Sequence, residues 1–210
     1  MKLHLQKILE LLEKTYGSPR CFLKHQTPFQ LLVAVVLSAQ CTDARVNSVT
    51  PRLFSHYKTP EDFVNASLTH IESLIFSTGF YKTKAQRIQN ISRILLEKYN
   101  GDIPHTLNDF ITLPGVGRKT AQVVLQEVHN QVDGIVVDTH VLRNSYRIGF
   151  GENTRNAEKQ EKILMKTVPK KYWKPFSYFM ILLGRSFCTA KNPKCSQCFL
   201  NKYCEKNTKV

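Results

Sequence analysis

The stretch from Phe29 to Leu37 constrains the fold more than any other part of the chain. In front of it, Thr27-Pro28 reads as an N-cap followed by a proline in the first turn, where the missing N–H does no harm. Phe29, Leu31, Leu32, Val35, Val36 and Leu37 then cover every side of the helix that follows, so it has no face to offer to water and belongs at the centre of a bundle. Its longest apolar run, Leu31 to Leu37, is far short of the roughly 20 residues needed to cross a bilayer.

A buried central helix needs amphipathic helices around it, and the periodicity supplies them almost throughout. Leu3, Leu5, Ile8, Leu11 and Leu12 make one face of a first helix that Gly17 can stop. Further helices are expected near 43–55, 60–65, 69–77, 82–99, 107–112, 117–129, 139–148, 156–167 and 171–187, with Thr59-Pro60 repeating the cap-and-proline start and Gly101 in a left-handed C-terminal position. Gly134 to Val137 is β-branched but too short for a convincing strand. The chain reads as all-α, with no repeat, low-complexity tract or long linker. At the N-terminus Lys2, Lys7, Glu10, Glu13 and Lys14 interrupt the apolar residues at helical spacing, unlike a signal peptide. A soluble cytoplasmic protein is expected.

The formal net charge is +14, and residues 151–210 hold 13 Lys or Arg against 4 acids. Clustered cations favour a polyanionic partner through counterion release. In that same region Cys188, Cys195, Cys198 and Cys204 are spaced C-x6-C-x2-C-x5-C, whereas Cys21 and Cys41 stand apart and read as small buried apolar residues. Without a secretion signal disulfides are disfavoured and a metal site is preferred. Four thiolates fit tetrahedral zinc or an iron-sulfur cluster, and the spacing leaves both open. Lys191 and Lys194 lie between the first two cysteines, and Lys202 and Lys206 flank the last. A metal would fasten these cations in a loop against a phosphate backbone; the plainer alternative is a solubilised tail.

Leu113-Pro114-Gly115-Val116-Gly117-Arg118-Lys119-Thr120 sits between two helical segments. Gly115 and Gly117 leave backbone N–H groups of a tight turn unshielded at the start of a helix, an arrangement that binds a phosphate without reading sequence. A lysine near the positive end of a helix dipole and beside another cation, as Lys119 is beside Arg118, is biased toward the neutral, nucleophilic amine; a plain phosphate contact is the alternative. Nineteen residues later comes Val137-Asp138-Thr139-His140. Asp138 reads as an N-cap, and also as a carboxylate able to relay a proton and steady a positive charge if the fold brings it to Lys119. His140 reads as a packed or capping residue.

The order of these features, a glycine hairpin ending in Lys119, then Asp138 in Val-Asp-Thr-His, then the four-cysteine tail, resembles the endonuclease III family of DNA glycosylases. The resemblance extends over Leu37-Ser38-Ala39-Gln40 with Thr42-Asp43 and over Gly79 to Ala85, nearly the whole chain. It implies an all-α, two-lobed helix-hairpin-helix fold: a central lobe of residues 22–132, and a second lobe of 1–21 with 133–210 that carries the cluster loop. It implies a monomer that acts on double-stranded DNA containing damaged bases or abasic sites, with the DNA across the cleft and the nucleotide flipped into it. Cys188, Cys195, Cys198 and Cys204 would then hold a [4Fe-4S] cluster that presents Lys191 and Lys194 to DNA.

By the same resemblance Lys119 attacks C1′ of an oxidised pyrimidine nucleotide and forms a Schiff base that leads to β-elimination, with Asp138 assisting. Gln40 fills the gap left by the flipped nucleotide, Phe80 stands where relatives often place a leucine wedge, and Gly115, Gly117 and Arg118 hold the backbone. Leu183 occupies a position where close relatives would carry histidine. The rival readings are a monofunctional mismatch glycosylase, whose branches generally lack the lysine, and a non-catalytic DNA-binding module, which needs neither Lys119 nor Asp138.

Overall fold

The computed structural model describes residues 3–205, so Lys2 and Lys206 lie outside the described residues. In chain order the helices are α1 (Leu3–Tyr16), α2 (Pro28–Leu37), α3 (Asp43–His56), α4 (Pro60–Asn65), α5 (Leu68–Ile75), α6 (Tyr81–Tyr99), α7 (Leu107–Ile111), α8 (Arg118–Val128), α9 (Thr139–Arg147), α10 (Ala157–Thr167) and α11 (Trp173–Ser186). No strand is present among the described residues, in keeping with the all-α reading. Tighter 3-10 turns at Phe76–Thr78 and Lys170–Tyr172 occupy ends of segments whose periodicity suggested α-helix. Gly134 to Val137 is buried irregular chain, held where Ser177 Oγ donates to the Val136 carbonyl at 2.7 Å.

The chain divides into two compact units, residues 21–131 and residues 1–20 with 132–210. In the first, α2 is the centre: Thr27 Oγ1 accepts from the Gln30 N–H at 3.2 Å, and every residue from Phe29 to Leu37 is buried. Each large apolar side chain buried there stabilises the fold by roughly 1.5–3 kcal/mol. The polar member, Gln30, accepts from the Gln26 N–H through Oε1 at 2.9 Å. The short α4 starts in a capping box between Thr59 and Asp62 and packs on α6. From α6 the Gln89 amide donates to the carbonyls of Phe63 and Ala66 at 3.2 and 3.1 Å, satisfying acceptors at the end of α4.

In the second unit, α1 buries Leu5, Ile8, Leu9 and Leu12 and stops before Gly17 as expected, with Gly17 in the left-handed region at φ 63°. Helix α11 packs on both α1 and α9. Its approach to α9 depends on Gly184, where a Cβ would fall 2.5 Å from Asn144 Nδ2. That close passage lets Asn144 Nδ2 donate to the Met180 carbonyl at 2.7 Å.

Candidate active site and cluster loop

Helices α7 and α8 and the turn between them form the hairpin. The Val116 N–H donates to the Leu113 carbonyl at 3.1 Å, Gly115 takes φ 78°, and Gly117 caps α8 with no side-chain hydrogen bond. The Arg87 side chain lies over Gly115, so that a Cβ there would meet Arg87 Cδ at 2.5 Å. Gly115, Gly117, Arg118 and Lys119 are all exposed, and the first turn of α8 carries no acid. The positive end of α8 is thus presented through bare backbone and two cationic side chains, the chemistry expected of an anion site.

Asp138 belongs to the other unit, where it caps α9. Its Oδ1 accepts from the Val141 N–H at 2.8 Å, and the side chain is half-buried. The N-cap reading of Asp138 is thus observed, and the cap fixes the carboxylate through one oxygen. One turn on, Arg143 donates from Nε and Nη2 to the Cys188 carbonyl at 3.4 and 3.3 Å, and Nη2 lies 3.2 Å from His140 Nδ1. Burial, and then the charge of Arg147, push the Arg143 guanidinium below its ordinary value, while Cys188 and Asp138 oppose this. His140 is half-buried in this packing. Leu183 is fully buried among apolar neighbours, a setting suited to leucine rather than to a polar group.

Gln40 and Phe80 share an unusual backbone. Their φ values are 52° and 49°, in the left-handed region that costs a non-glycine residue roughly 1–2 kcal/mol. Both are exposed, Phe80 by 65%. Strain of this kind persists only where its surroundings enforce it, and it gathers at functional sites. Gln40 follows the end of α2 and Phe80 precedes α6; between their loops sits Lys84, with only 3% of its surface exposed. Lys84 Nζ donates to the carbonyls of Leu37 and Thr78 at 2.8 and 2.9 Å. Sequence reasoning missed this residue, although Tyr81, Lys84, Ala85, Ile88, Ile91 and Leu95 follow helical spacing, so a lysine falls within the apolar stripe of α6.

The four C-terminal cysteines line one cavity, with Arg147, Ile148, Leu183, Phe187 and Leu200 among its other walls. All four are half-buried, and none is in a disulfide. Four cysteine sulfurs lining one cavity are the donor set that an iron-sulfur cluster takes. Burial, followed by the charges of Cys188 and Cys195, pushes the Cys198 thiol up against a lowering contribution from the Leu200 backbone. Arg147, 5% exposed, braces the loop: Nη1 donates to Thr189 O at 2.7 Å and lies 3.7 Å from Cys188 Sγ, and Nη2 donates to Ala190 O at 3.2 Å. Lys191, Lys194 and Lys202 are exposed around it. Cys21 and Cys41 are half-buried against the core of the other unit, less enclosed than expected.

Comparison with known proteins matches residues 33–170 to the HhH-GPD superfamily of base excision DNA repair proteins and residues 188–204 to the iron-sulfur binding domain of endonuclease III. The chain is 44% identical over 198 residues to an endonuclease III of Synechocystis sp., covering 94% of this chain and 90% of the relative. To that of Bacillus subtilis it is 42% identical over 210 residues, covering 99% and 95%. A solved structure of a trapped endonuclease III-DNA covalent intermediate is similar with a TM-score of 0.88 and 44% identity, covering 98% of this chain and 97% of that one.

Proposed function

The chain belongs to the endonuclease III family of base excision DNA repair proteins, within the HhH-GPD superfamily, and from that premise we propose that Lys119 and Asp138 carry its chemistry on oxidised pyrimidines. The protein is a DNA glycosylase and abasic-site lyase; its partner is damaged duplex DNA and its cofactor a [4Fe-4S] cluster. Among the described residues no helix is long and apolar enough to cross a membrane. We assign the enzyme to the cytoplasm, acting on the chromosome as a monomer.

The reacting carbon of a stacked nucleotide is out of reach, so the reaction begins with the damaged nucleotide turned out of the duplex. Lys119 Nζ gives up a proton and attacks C1′. As the new C–N bond forms, the bond to the base breaks, and the base leaves with that electron pair and takes a proton. Opening of the sugar ring gives a Schiff base between Nζ and C1′, which makes the C2′ proton acidic. Loss of that proton drives electrons toward C3′, the bond to the 3′ oxygen breaks, and hydrolysis of the imine frees Lys119. The Asp138 carboxylate accepts a proton and opposes the positive charge that develops on the sugar.

The observation that supports this reading most directly is the position of Lys119, exposed in the first turn of a helix whose N-terminal amides carry no side-chain cap and whose first turn holds no acid. A phosphate and a reacting amine can meet there. The covalent DNA intermediate trapped with a similar endonuclease III also supports a covalent step on DNA. Cys188, Cys195, Cys198 and Cys204 would hold the cluster, which when bound ties the basic loop into a fixed shape; Gly115, Gly117, Arg118, Lys191 and Lys194 grip the backbone, and Gln40 and Phe80 enter the duplex. Incubation with a duplex containing thymine glycol should release the base and nick the strand, both lost in Lys119→Ala. Base release without a nick would favour a monofunctional glycosylase, and binding without release a non-catalytic module.

A further inference from the structure

Lys84 is a charged side chain in a place built for an apolar one. It lies on the buried stripe of α6 and has 3% of its surface exposed. Burial pushes its ammonium below the ordinary lysine value, and the nearby Cys41 partly opposes that. A leucine or methionine there would avoid the desolvation, so the ammonium must be held by what it binds. Its two acceptors are the carbonyl of Leu37, the last residue of α2, and the carbonyl of Thr78, the last residue of the 3-10 turn. Both are helix-end carbonyls, which lack a helical donor and attract a cation.

Each of these anchor points lies two or three positions before a strained residue. Gln40 comes three positions after Leu37 and Phe80 two positions after Thr78, and both take the left-handed backbone. The intervening turns are short: the Cys41 N–H donates to the Ser38 carbonyl at 3.0 Å, and the Gly79 N–H to the Phe76 carbonyl at 3.4 Å. One ammonium therefore ties together the roots of the two loops that carry Gln40 and Phe80.

We infer that Lys84 is a positioning residue for nucleotide flipping, holding Gln40 and Phe80 at the fixed separation with which they enter the duplex. The inference rests on the proposed roles of those two residues. It separates Lys84 from a lysine that merely stabilises the fold, because the cost of unstacking falls most heavily on a base still paired in the helix and far less on a site that has already lost its base. Fixing two probes in advance lowers that cost; a loss of stability would affect both substrates alike.

The experiment uses the full chain with its cluster, as Lys84→Met and Lys84→Gln, under single-turnover conditions. Excision of thymine glycol opposite adenine is compared with cleavage at a preformed abasic site in the same sequence. Lys84→Met should slow excision by about tenfold or more and abasic-site cleavage by no more than about threefold, in line with the unequal unstacking costs. Lys84→Gln, whose amide can donate to both carbonyls, should show the same unequal losses to a smaller degree, and it carries the comparison should the methionine variant fold poorly. In a Gln40→Ala/Phe80→Ala background, Lys84→Met should add less than about a twofold further loss, since residues acting through one another are not additive. Equal losses on both substrates, no loss on either, or an undiminished effect in that background would each overturn the inference. If Gln40→Ala/Phe80→Ala itself left excision unchanged, the assignment of those two residues would be what fails.

Discussion

Removing the Arg147 guanidinium should loosen the cluster loop without unfolding the rest of its unit. In Arg147→Met the long apolar stem stays in the cavity wall, but the donations to Thr189 O at 2.7 Å and Ala190 O at 3.2 Å are lost, along with the positive charge 3.7 Å from Cys188 Sγ. Hydrogen bonds from a charged donor contribute about 1.5–3 kcal/mol each, so the two together set an upper limit of about 3–6 kcal/mol. Two features of the structure reduce that figure. Ala190 is exposed and Thr189 partly so, which lets water replace the lost donor, and Arg147 Nε is buried with no hydrogen-bond partner, a cost that the methionine removes. A net loss of about 2 kcal/mol remains, which corresponds to roughly a thirtyfold larger population of the open loop. A bound cluster makes a thermal midpoint an ambiguous measure. The assay is therefore the rate at which a strong iron chelator bleaches the visible absorbance of the native protein. Bleaching about thirtyfold faster than wild type is expected, with Arg147→Lys intermediate because a single ammonium does not reproduce the fork that reaches two carbonyls. Bleaching within about threefold of wild type would refute the reasoning.

Gly115→Ala should cost about 1–2 kcal/mol in denaturant unfolding, because φ 78° is left-handed, and should weaken binding to undamaged duplex by displacing Arg87 from the turn. Replacing Lys191 and Lys194 by glutamine should lower the slope of log affinity against log salt by about 1–2 and leave the choice of damaged base unchanged, which titrations at several salt concentrations would show. Backbone donation from Lys58 and Thr59 holds the Asp62 carboxyl below the ordinary aspartate value. A depressed folded pKa means that this stability is fully present above the unfolded value and is lost as pH falls through the folded one. Asp62→Asn should therefore flatten the acid limb of the stability profile, and an unchanged limb in pH-dependent urea titrations would count against the capping box.

The helices were legible because their signals are local. Thr27-Pro28 and Thr59-Pro60 mark starts that the structure confirms through Thr27 and Thr59 caps, and α2, apolar but for Gln30, is buried because it has no polar face. The 3-10 turns at Phe76–Thr78 and Lys170–Tyr172 escaped notice because periodicity cannot distinguish a tightened first or last turn from a continued helix. Lys84 escaped for a different reason: a lysine in a helical pattern is ordinarily solvated, and only the two carbonyls brought to it by distant segments make its burial tolerable. Arg147 likewise reads as a basic residue closing a helix, while its partners Thr189 and Ala190 lie more than forty positions away. At the candidate site, residue types and order were visible in Lys119, Asp138 and the four cysteines. The left-handed backbone of Gln40 and Phe80 was not, since neither residue type demands it.

The central proposal is that the amine of Lys119 becomes covalently joined to the sugar of the damaged nucleotide. Incubation with thymine glycol duplex in the presence of borohydride, followed by protease digestion and mass spectrometry, would locate the join. A reduced sugar adduct on the peptide containing Lys119, absent from Lys119→Ala, is the expected result. An adduct on any other residue, or continued base release and nicking by Lys119→Ala, would contradict it.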